Sequence, residues 1–219
     1  MDIEQARFNM VEQQIRPWNV LDPDVLDLLF HVKREEFVEP QQHALAFADI
    51  SLPLSDGSSS LQPKQEARML QDLAVKPGDV VLQVGTGSGY VTALLAKLSK
   101  QVFTVDSNAQ ILQLASERLH KAKIDNVTLI NDNALNGLEK HGPFDAIFVS
   151  GSLALVPEIL KQQLSAGGRM IVTIGDDPLM SVYLIQRQEK DIFSQHKLYE
   201  TSVARLPGSE AIEPNRFTF

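Results

Sequence analysis

Three glycines at alternate positions, in Gly85-Thr-Gly-Ser-Gly89, close the apolar run Val80-Val-Leu-Gln-Val84 and lead into the helix-forming stretch Val91-Thr-Ala-Leu-Leu-Ala-Lys-Leu98. Glycine has no Cβ, so the chain can turn sharply there and a ligand can lie against bare backbone at a helix start. The spacing predicts a strand running into a nucleotide-binding turn, with chemistry at the carboxyl end of that strand. A dinucleotide fingerprint needs glycines at the first, third and sixth positions of the turn, and Tyr90 stands at the sixth. A phosphate loop needs a Gly-Lys-Ser/Thr ending, and no lysine occurs between Asp79 and Lys97. NAD, FAD and Walker-type ATP or GTP sites are thus disfavoured. Asp106 ends the next apolar run, Val102-Phe-Thr-Val-Asp106, where a carboxylate can accept both hydrogen bonds of a ribose diol; the alternative is a cap for the helix starting near Ala109. Asp132, in Ile130-Asn-Asp-Asn133, is placed either to take an adenine amino group or to serve as an ordinary polar turn. Asp145 precedes its strand and reads as structural.

These residues need a scaffold that brings strand ends together. Strands are expected at 80–84, 102–105, 127–130, 146–149 and 170–174, with helices at 91–98, 109–121 and 157–164 between them. Near-continuous apolar strands separated by helices predict a doubly wound, Rossmann-like α/β fold around a mostly parallel sheet. After Gly175 the alternation weakens. Strands at 182–186 and 198–203, with the polar segment 188–197 between them, predict an antiparallel edge. Upstream, Phe8, Val11 and Ile15 share a helical spacing over 4–15, and Asp22-Pro23 caps a second helix. Trp18 reads as an anchor for this N-terminal layer. Residues 51–62 form a polar loop placed to lie over a site, before a helix at 65–73. The expected division is 1–63 for the helical layer and substrate-side loop, 64–175 for the nucleotide-binding core, and 176–219 for strands and a tail completing the same domain. The Phe217-Thr-Phe219 end is placed to dock in a groove.

With 219 residues, 43% hydrophobic and 22% charged, the chain has ordinary globular composition and enough length for one sizeable core. A net charge of −8 argues against coating a nucleic acid or an anionic membrane, either of which wants a clustered Lys/Arg face. No cysteine is present, which removes disulfides, thiol catalysis and thiolate metal sites, and Met1-Asp-Ile-Glu-Gln5 lacks the basic start of a signal peptide. A cytoplasmic protein is expected. The five histidines are scattered without metal-ligand spacing, so no metal is expected. No apolar run has the length of a membrane span.

The Gly-x-Gly-x-Gly form resembles motif I of S-adenosylmethionine-dependent methyltransferases. Across nearly its whole length the chain resembles, more narrowly, the protein-L-isoaspartate O-methyltransferase family. The likeness is carried by Met10-Val-Glu-Gln-Gln-Ile-Arg16, Val32-Lys-Arg-Glu-Glu-Phe-Val38, Ala46-Phe-Ala-Asp49, Val84-Gly-Thr-Gly-Ser-Gly-Tyr90, Gly142-Pro-Phe-Asp-Ala-Ile-Phe148 and Gln163-Leu-Ser-Ala-Gly-Gly-Arg169. The resemblance implies S-adenosylmethionine as cofactor, held by Gln83, Gly85, Thr86, Gly87, Ser88, Gly89, Asp106 and Asp132. It also implies methyl transfer to the carboxylate of isoaspartyl residues in damaged protein or peptide substrates. A carboxylate is already ionised at neutral pH and needs no general base, so positioning should dominate the rate.

Three departures bear on this expectation. The family's loop before motif I usually reads Gly-Gln-Thr-Ile-Ser-Gln-Pro, and here it is Gly57-Ser-Ser-Ser-Leu-Gln-Pro63. Leu61 therefore stands where the family carries the serine associated with catalysis, leaving Ser59 and Ser60 as candidate catalytic hydroxyls or as plain solvated loop serines. Gln83 stands where an acidic residue is common. At the end of the fourth strand Val149-Ser-Gly-Ser-Leu153 replaces the usual Thr-Ala-Ala-Pro, which alters the residues facing the substrate. By position in the family, Arg205-Leu-Pro207 is a substrate-facing loop. Two other readings follow: a methyltransferase with a different acceptor, or an S-adenosylmethionine or adenosylhomocysteine-binding protein without turnover.

Overall fold

The computed structural model describes residues 2–189 and 191–212, so the expected docking of the Phe217-Thr-Phe219 end falls outside the described residues. Seven strands form one sheet in the order β3-β2-β1-β4-β5-β6-β7. They are β1 Val80–Val84, β2 Gln101–Asp106, β3 Val127–Asn131, β4 Phe144–Leu153, β5 Leu164–Asp176, β6 Leu179–Glu189 and β7 Ile192–Thr201. The first five are mutually parallel where they pair, while β6 runs antiparallel to β5 and β7 antiparallel to β6. The doubly wound α/β expectation and its antiparallel edge are both present.

Several boundaries move. The polar segment 188–197, expected to connect two strands, instead forms the end of β6 and the first half of β7, with Glu189 paired to Ile192 across the turn. An edge strand exposes one flank to water, so polar residues can occupy it without breaking the ladder. Strand β4 starts before Asp145, which therefore lies inside it. The Asp145 carboxylate accepts from Val80 N at 2.9 Å and Ser165 Oγ at 2.9 Å, tying three strands together.

Among the described residues six α-helices surround the sheet: α1 Ile3–Asn9, α2 Pro23–His31, α3 Pro63–Leu73, α4 Tyr90–Leu98, α5 Ala109–Lys121 and α6 Glu158–Gln162. Asp22 caps α2 by accepting from Asp24 N and Val25 N, and Asn108 caps α5 in the same way through Gln110 N and Ile111 N. The first helix departs from the expected single span. After Asn9 it widens into a π-helical turn, Met10–Ile15, which shifts the buried face. Met10, Val11 and Ile15 point into the core, Phe8 is 49% exposed, and Arg7 is buried instead, paired with Glu35. A wider turn breaks the 3.6-residue repeat on which the expectation for Phe8 rested. Trp18 is also not a core anchor: it is 39% exposed, with the Lys64 ammonium 4.2 Å from its ring centroid.

Two apolar clusters cover the sheet. The larger joins the N-terminal layer and α3 and α4 to β1, β4 and β5 through residues such as Phe37, Leu70, Leu94 and Phe148. The smaller packs Leu82, Val84, Phe144, Val149 and Leu160 on the opposite face. Register then does the rest: Val84 pairs with Val105 on one side and with Val149 on the other. The next residue of each strand, Gly85, Asp106 and Ser150, consequently stand in a row at the carboxyl edge of the sheet.

Candidate active site

The glycine turn adopts the conformation that its spacing demands. Gly85, Gly87 and Gly89 have φ of 87°, 55° and 86°, a region that side chains with a Cβ disfavour. A Cβ on Gly89 would lie 3.1 Å from the Ala115 Cβ and 3.3 Å from its Cα, so this glycine lets α4 start against α5. Gly89 packs helices rather than facing the pocket.

Asp106 holds the turn from the neighbouring strand. One carboxylate oxygen accepts from Thr86 N at 3.0 Å and the other from Asn108 N at 3.0 Å. The helix-capping alternative for Asp106 is taken by Asn108. A carboxylate has about four lone-pair sites, so Asp106 retains capacity for further donors. Asp132 is exposed, and its side chain accepts from the adjacent Asn133 N at 2.7 Å. It closes its own polar turn and lines neither pocket described next.

A pocket of about 450 Å³ lies along the row of strand ends, lined by Gly85, Gly87, Asp106, Ser107, Ser150 and Leu206 among others. It adjoins a second of about 310 Å³, with which it shares Leu54, Ser59, Gly87 and Ser150. The second pocket adds Ser60, Leu61, Glu66, Gln83, Thr86 and Ser88. The two lining sets contain Asp56, Glu66 and Asp106 but no lysine or arginine. Such walls do not suit a pyrophosphate, and they suit a ligand that carries positive charge and a ribose. S-adenosylmethionine, a sulfonium with no phosphate, meets both conditions.

Gln83 lies beneath the turn, 1% exposed, with both ends of its amide used inside the protein. Nε2 donates to Gly85 O at 3.0 Å and Ser150 Oγ at 3.1 Å, while Oε1 accepts from Thr92 Oγ1 at 2.6 Å and Thr104 Oγ1 at 3.3 Å. Thr86 turns its hydroxyl inward to Thr104, 2.8 Å away. This neutral network cross-links β1, β2, α4 and the end of β4.

The loop over the second pocket is fastened at its far end. Ser60 Oγ accepts from Leu52 N at 3.0 Å and donates to Leu61 O at 3.0 Å, so its hydroxyl is spent on the loop. Ser59 is exposed, pairs by backbone with Pro53, and makes no side-chain hydrogen bond among the described residues. Leu61 is 5% exposed and belongs to the larger core cluster. Behind it Arg34 and Glu66 form a buried pair, with Arg34 Nε 3.0 Å from Glu66 Oε2, and Arg34 also donates to Ala46 O and Leu61 O. Burial is the stronger influence on Glu66 and lifts its carboxyl above the usual range against the pull of Arg34. Tyr90 packs on the Arg34 guanidinium, and burial pushes its hydroxyl up as well.

Nothing in the sequence marks Leu54 or Ser107 as lining residues, and position in the family alone points to Leu206. Leu206 arrives from beyond β7: the chain passes Ser152 in parallel at Arg205 and packs the Leu206 side chain onto Gly85, where a Cβ would lie 2.7 Å from Cδ1. The expectation for Arg205-Leu-Pro207 is thereby narrowed. Leu206 and Pro207 wall the first pocket, whereas Arg205 pairs with Asp176. Among the described residues no group of three or more His, Cys, Asp or Glu could hold a metal ion, and no helix is long and apolar enough to cross a membrane.

Known proteins share this arrangement. The profile of the family described as protein-L-isoaspartate(D-aspartate) O-methyltransferase matches residues 5–210. The protein-L-isoaspartate O-methyltransferase of Koribacter versatilis is 35% identical over 210 residues, covering 96% of this chain and 94% of the relative. That of Petrotoga mobilis is 36% identical over 190 residues, covering 86% and 89%. Among solved structures, a Plasmodium falciparum chain described as a protein-L-isoaspartate O-methyltransferase, in complex with S-adenosyl-L-homocysteine, superposes with a TM-score of 0.79. It is 24% identical, with 94% of this chain and 98% of that one covered, and so speaks for the fold. A profile match over nearly the whole chain and relatives at this identity and coverage show that this chain belongs to the protein-L-isoaspartate O-methyltransferase family.

Proposed function

We propose that this chain methylates the α-carboxylate of L-isoaspartyl residues in protein or peptide substrates, with S-adenosylmethionine as donor. The observation that carries the reading is a pair of adjoining pockets along the strand-end row, neither lined by lysine or arginine, one edged by Asp106 and the other by the loop serines. Bound S-adenosylmethionine supplies an electrophilic methyl on a sulfonium: the acceptor carboxylate oxygen forms the new O–C bond, the S–C pair stays on sulfur, and no proton moves. The protein's own task is to align and to exclude water. Good alignment of two reacting groups is worth about 7–11 kcal/mol. The buried floor of Gln83, Thr86 and Leu61 keeps water out, and Ser59 is a loop hydroxyl free to meet an incoming carboxylate. A neutral donor orients a carboxylate without gripping it in the ground state as a lysine or arginine would. Net charge of −8 sets the surface against nucleic acid, and a chain without cysteine suits the cytoplasm.

Incubation with methyl-labelled S-adenosylmethionine and an isoaspartyl peptide, beside its normal aspartyl twin, tests this reading. Base-labile label on the isoaspartyl peptide alone is the expected result. Label on neither, with S-adenosylmethionine still bound in a calorimeter, would sink it. A second reading, methylation of a different carboxyl acceptor, draws on Leu61, which fills with core packing the place where the family carries a serine. Label appearing on other carboxyl-bearing peptides but not on the isoaspartyl one would favour it.

A further inference from the structure

Gln83 and Ser150 share a hydrogen bond whose direction their neighbours fix, and that direction leaves one proton unspent where the two pockets meet. The Gly85 carbonyl can only accept, so the Gln83 atom 3.0 Å from it is the amide nitrogen. The other end of the amide, Oε1, then receives the hydroxyls of Thr92 and Thr104. With both ends assigned, the contact of 3.1 Å to Ser150 runs from Nε2 to Oγ, and Ser150 is the acceptor. A serine hydroxyl that accepts one hydrogen bond keeps its own proton to donate. Among the described residues Ser150 Oγ donates to nothing. Accepting from an amide also polarises the O–H and makes it a better donor.

The identity of residue 83 decides this. A carboxylate at that position has no proton to give, so it would take the serine's hydrogen and spend it inside the protein. Glutamine reverses the bond. Ser150 is also well placed: it follows the Val84–Val149 pair, stands beside Gly85, is half-buried, and lines both pockets. Of the other hydroxyls nearby, Ser88, whose Oγ accepts from Tyr90 N at 3.3 Å, and Ser107 each line only one of the two pockets, whereas Ser150 lines both. Ser60 has used its proton on Leu61 O, Thr86 is turned to Thr104, and Leu61 has none.

We propose that Ser150 donates its hydroxyl proton to the methyl-accepting carboxylate, and that Gln83 is the positioning residue that keeps that proton free; this rests on the function proposed above. The bond orients the carboxylate and persists through the transfer, with no covalent change at Ser150. It puts a fixed donor, mounted on the sheet, in the same two pockets as the exposed loop hydroxyl of Ser59.

The test compares wild type with Ser150→Ala, Ser150→Thr and Gln83→Glu. Initial rates on the isoaspartyl peptide are measured together with calorimetric affinities for S-adenosylhomocysteine alone and for the peptide added to that complex. Ser150→Ala should lose about 10- to 100-fold in kcat/KM, the span of one hydrogen bond to a charged group, and bind peptide correspondingly more weakly. Its S-adenosylhomocysteine affinity should stay at the wild-type level, which also reports an intact fold. Ser150→Thr keeps the hydroxyl and should recover most of the loss. Gln83→Glu should weaken peptide binding by a larger factor than S-adenosylhomocysteine binding, because its bond to Gly85 O is lost as well. Wild-type kcat/KM and peptide affinity in Ser150→Ala would overturn this inference and leave the proposed function standing, as would a loss confined to S-adenosylhomocysteine. A wild-type protein that binds S-adenosylhomocysteine yet neither methylates nor binds the isoaspartyl peptide would overturn both.

Discussion

In the half of the site proposed above for the cofactor, Gly85 and Gly87 act through backbone shape and Asp106 through two hydrogen bonds to main-chain N–H groups. In the acceptor half the working parts are side chains, and what each can do depends on residues distant in sequence. Gln83 reaches Ser150 across 67 positions, and Arg34 reaches Leu61 O across 27. The first half is a property of a short segment. The second is a property of the assembled fold, and it can change acceptor chemistry without disturbing the turn beneath it.

The sharpest way to separate the halves is to break each at its support. Arg34→Met removes the counterion of buried Glu66 and the donor that holds Ala46 O and Leu61 O. Breaking one side of a buried pair costs about 3–5 kcal/mol, and chemical denaturation should show a fall of that size. The cofactor half should fail differently. Gly89→Ala forces a left-handed backbone on a residue with a Cβ, for about 1–2 kcal/mol, and presses it onto Ala115. Added strain between α4 and α5 brings the expected loss to about 2–4 kcal/mol, with S-adenosylmethionine affinity falling in the same variant. If Arg34→Met instead abolished S-adenosylmethionine binding while remaining folded, the two halves would not be separable in this way.

The difference between the halves also explains what could be read before the fold was seen. Strand β1 and helix α5 coincide with their expected spans, because continuous apolar strands and 3.6-residue faces are local patterns. The three glycines, Asp106 and the antiparallel edge were legible for the same reason. Arg7 was not, since nothing nearby marks an arginine that will be buried against Glu35 while Phe8 is exposed. Gln83 was legible only as a missing charge. Its role needs Thr92, Thr104 and Ser150, which come together only when α4, β2 and β4 close around β1. Ser60 shows the reverse case, a hydroxyl well placed in sequence whose bonds within the loop consume it.

Asp106→Ala probes the boundary between local and assembled roles. Its carboxylate serves two main-chain donors and faces the larger pocket, so both readouts should move. Stability should fall by about 1 kcal/mol as Thr86 N and Asn108 N lose their acceptor, and S-adenosylmethionine affinity by about 1–3 kcal/mol if the carboxylate also holds the ribose. Unchanged affinity beside reduced stability would assign Asp106 to the turn alone.

Ser59→Ala should have the smallest effect, and it sharpens the comparison most within the acceptor half. The residue is exposed and its hydroxyl is unbonded among the described residues, so stability should stay within about 0.5 kcal/mol. A hydroxyl on an exposed loop must be ordered before it can help, and that cost offsets part of the hydrogen bond it makes. Loss of it should therefore reduce kcat/KM by about fivefold or less, which is about 1 kcal/mol and below the loss expected from the anchored Ser150. Steady-state kinetics on the isoaspartyl peptide decide the ranking. A fall beyond tenfold in Ser59→Ala, with S-adenosylmethionine affinity unchanged, would move the main acceptor contact from the end of β4 to the loop and make the acceptor half as local as the glycine turn.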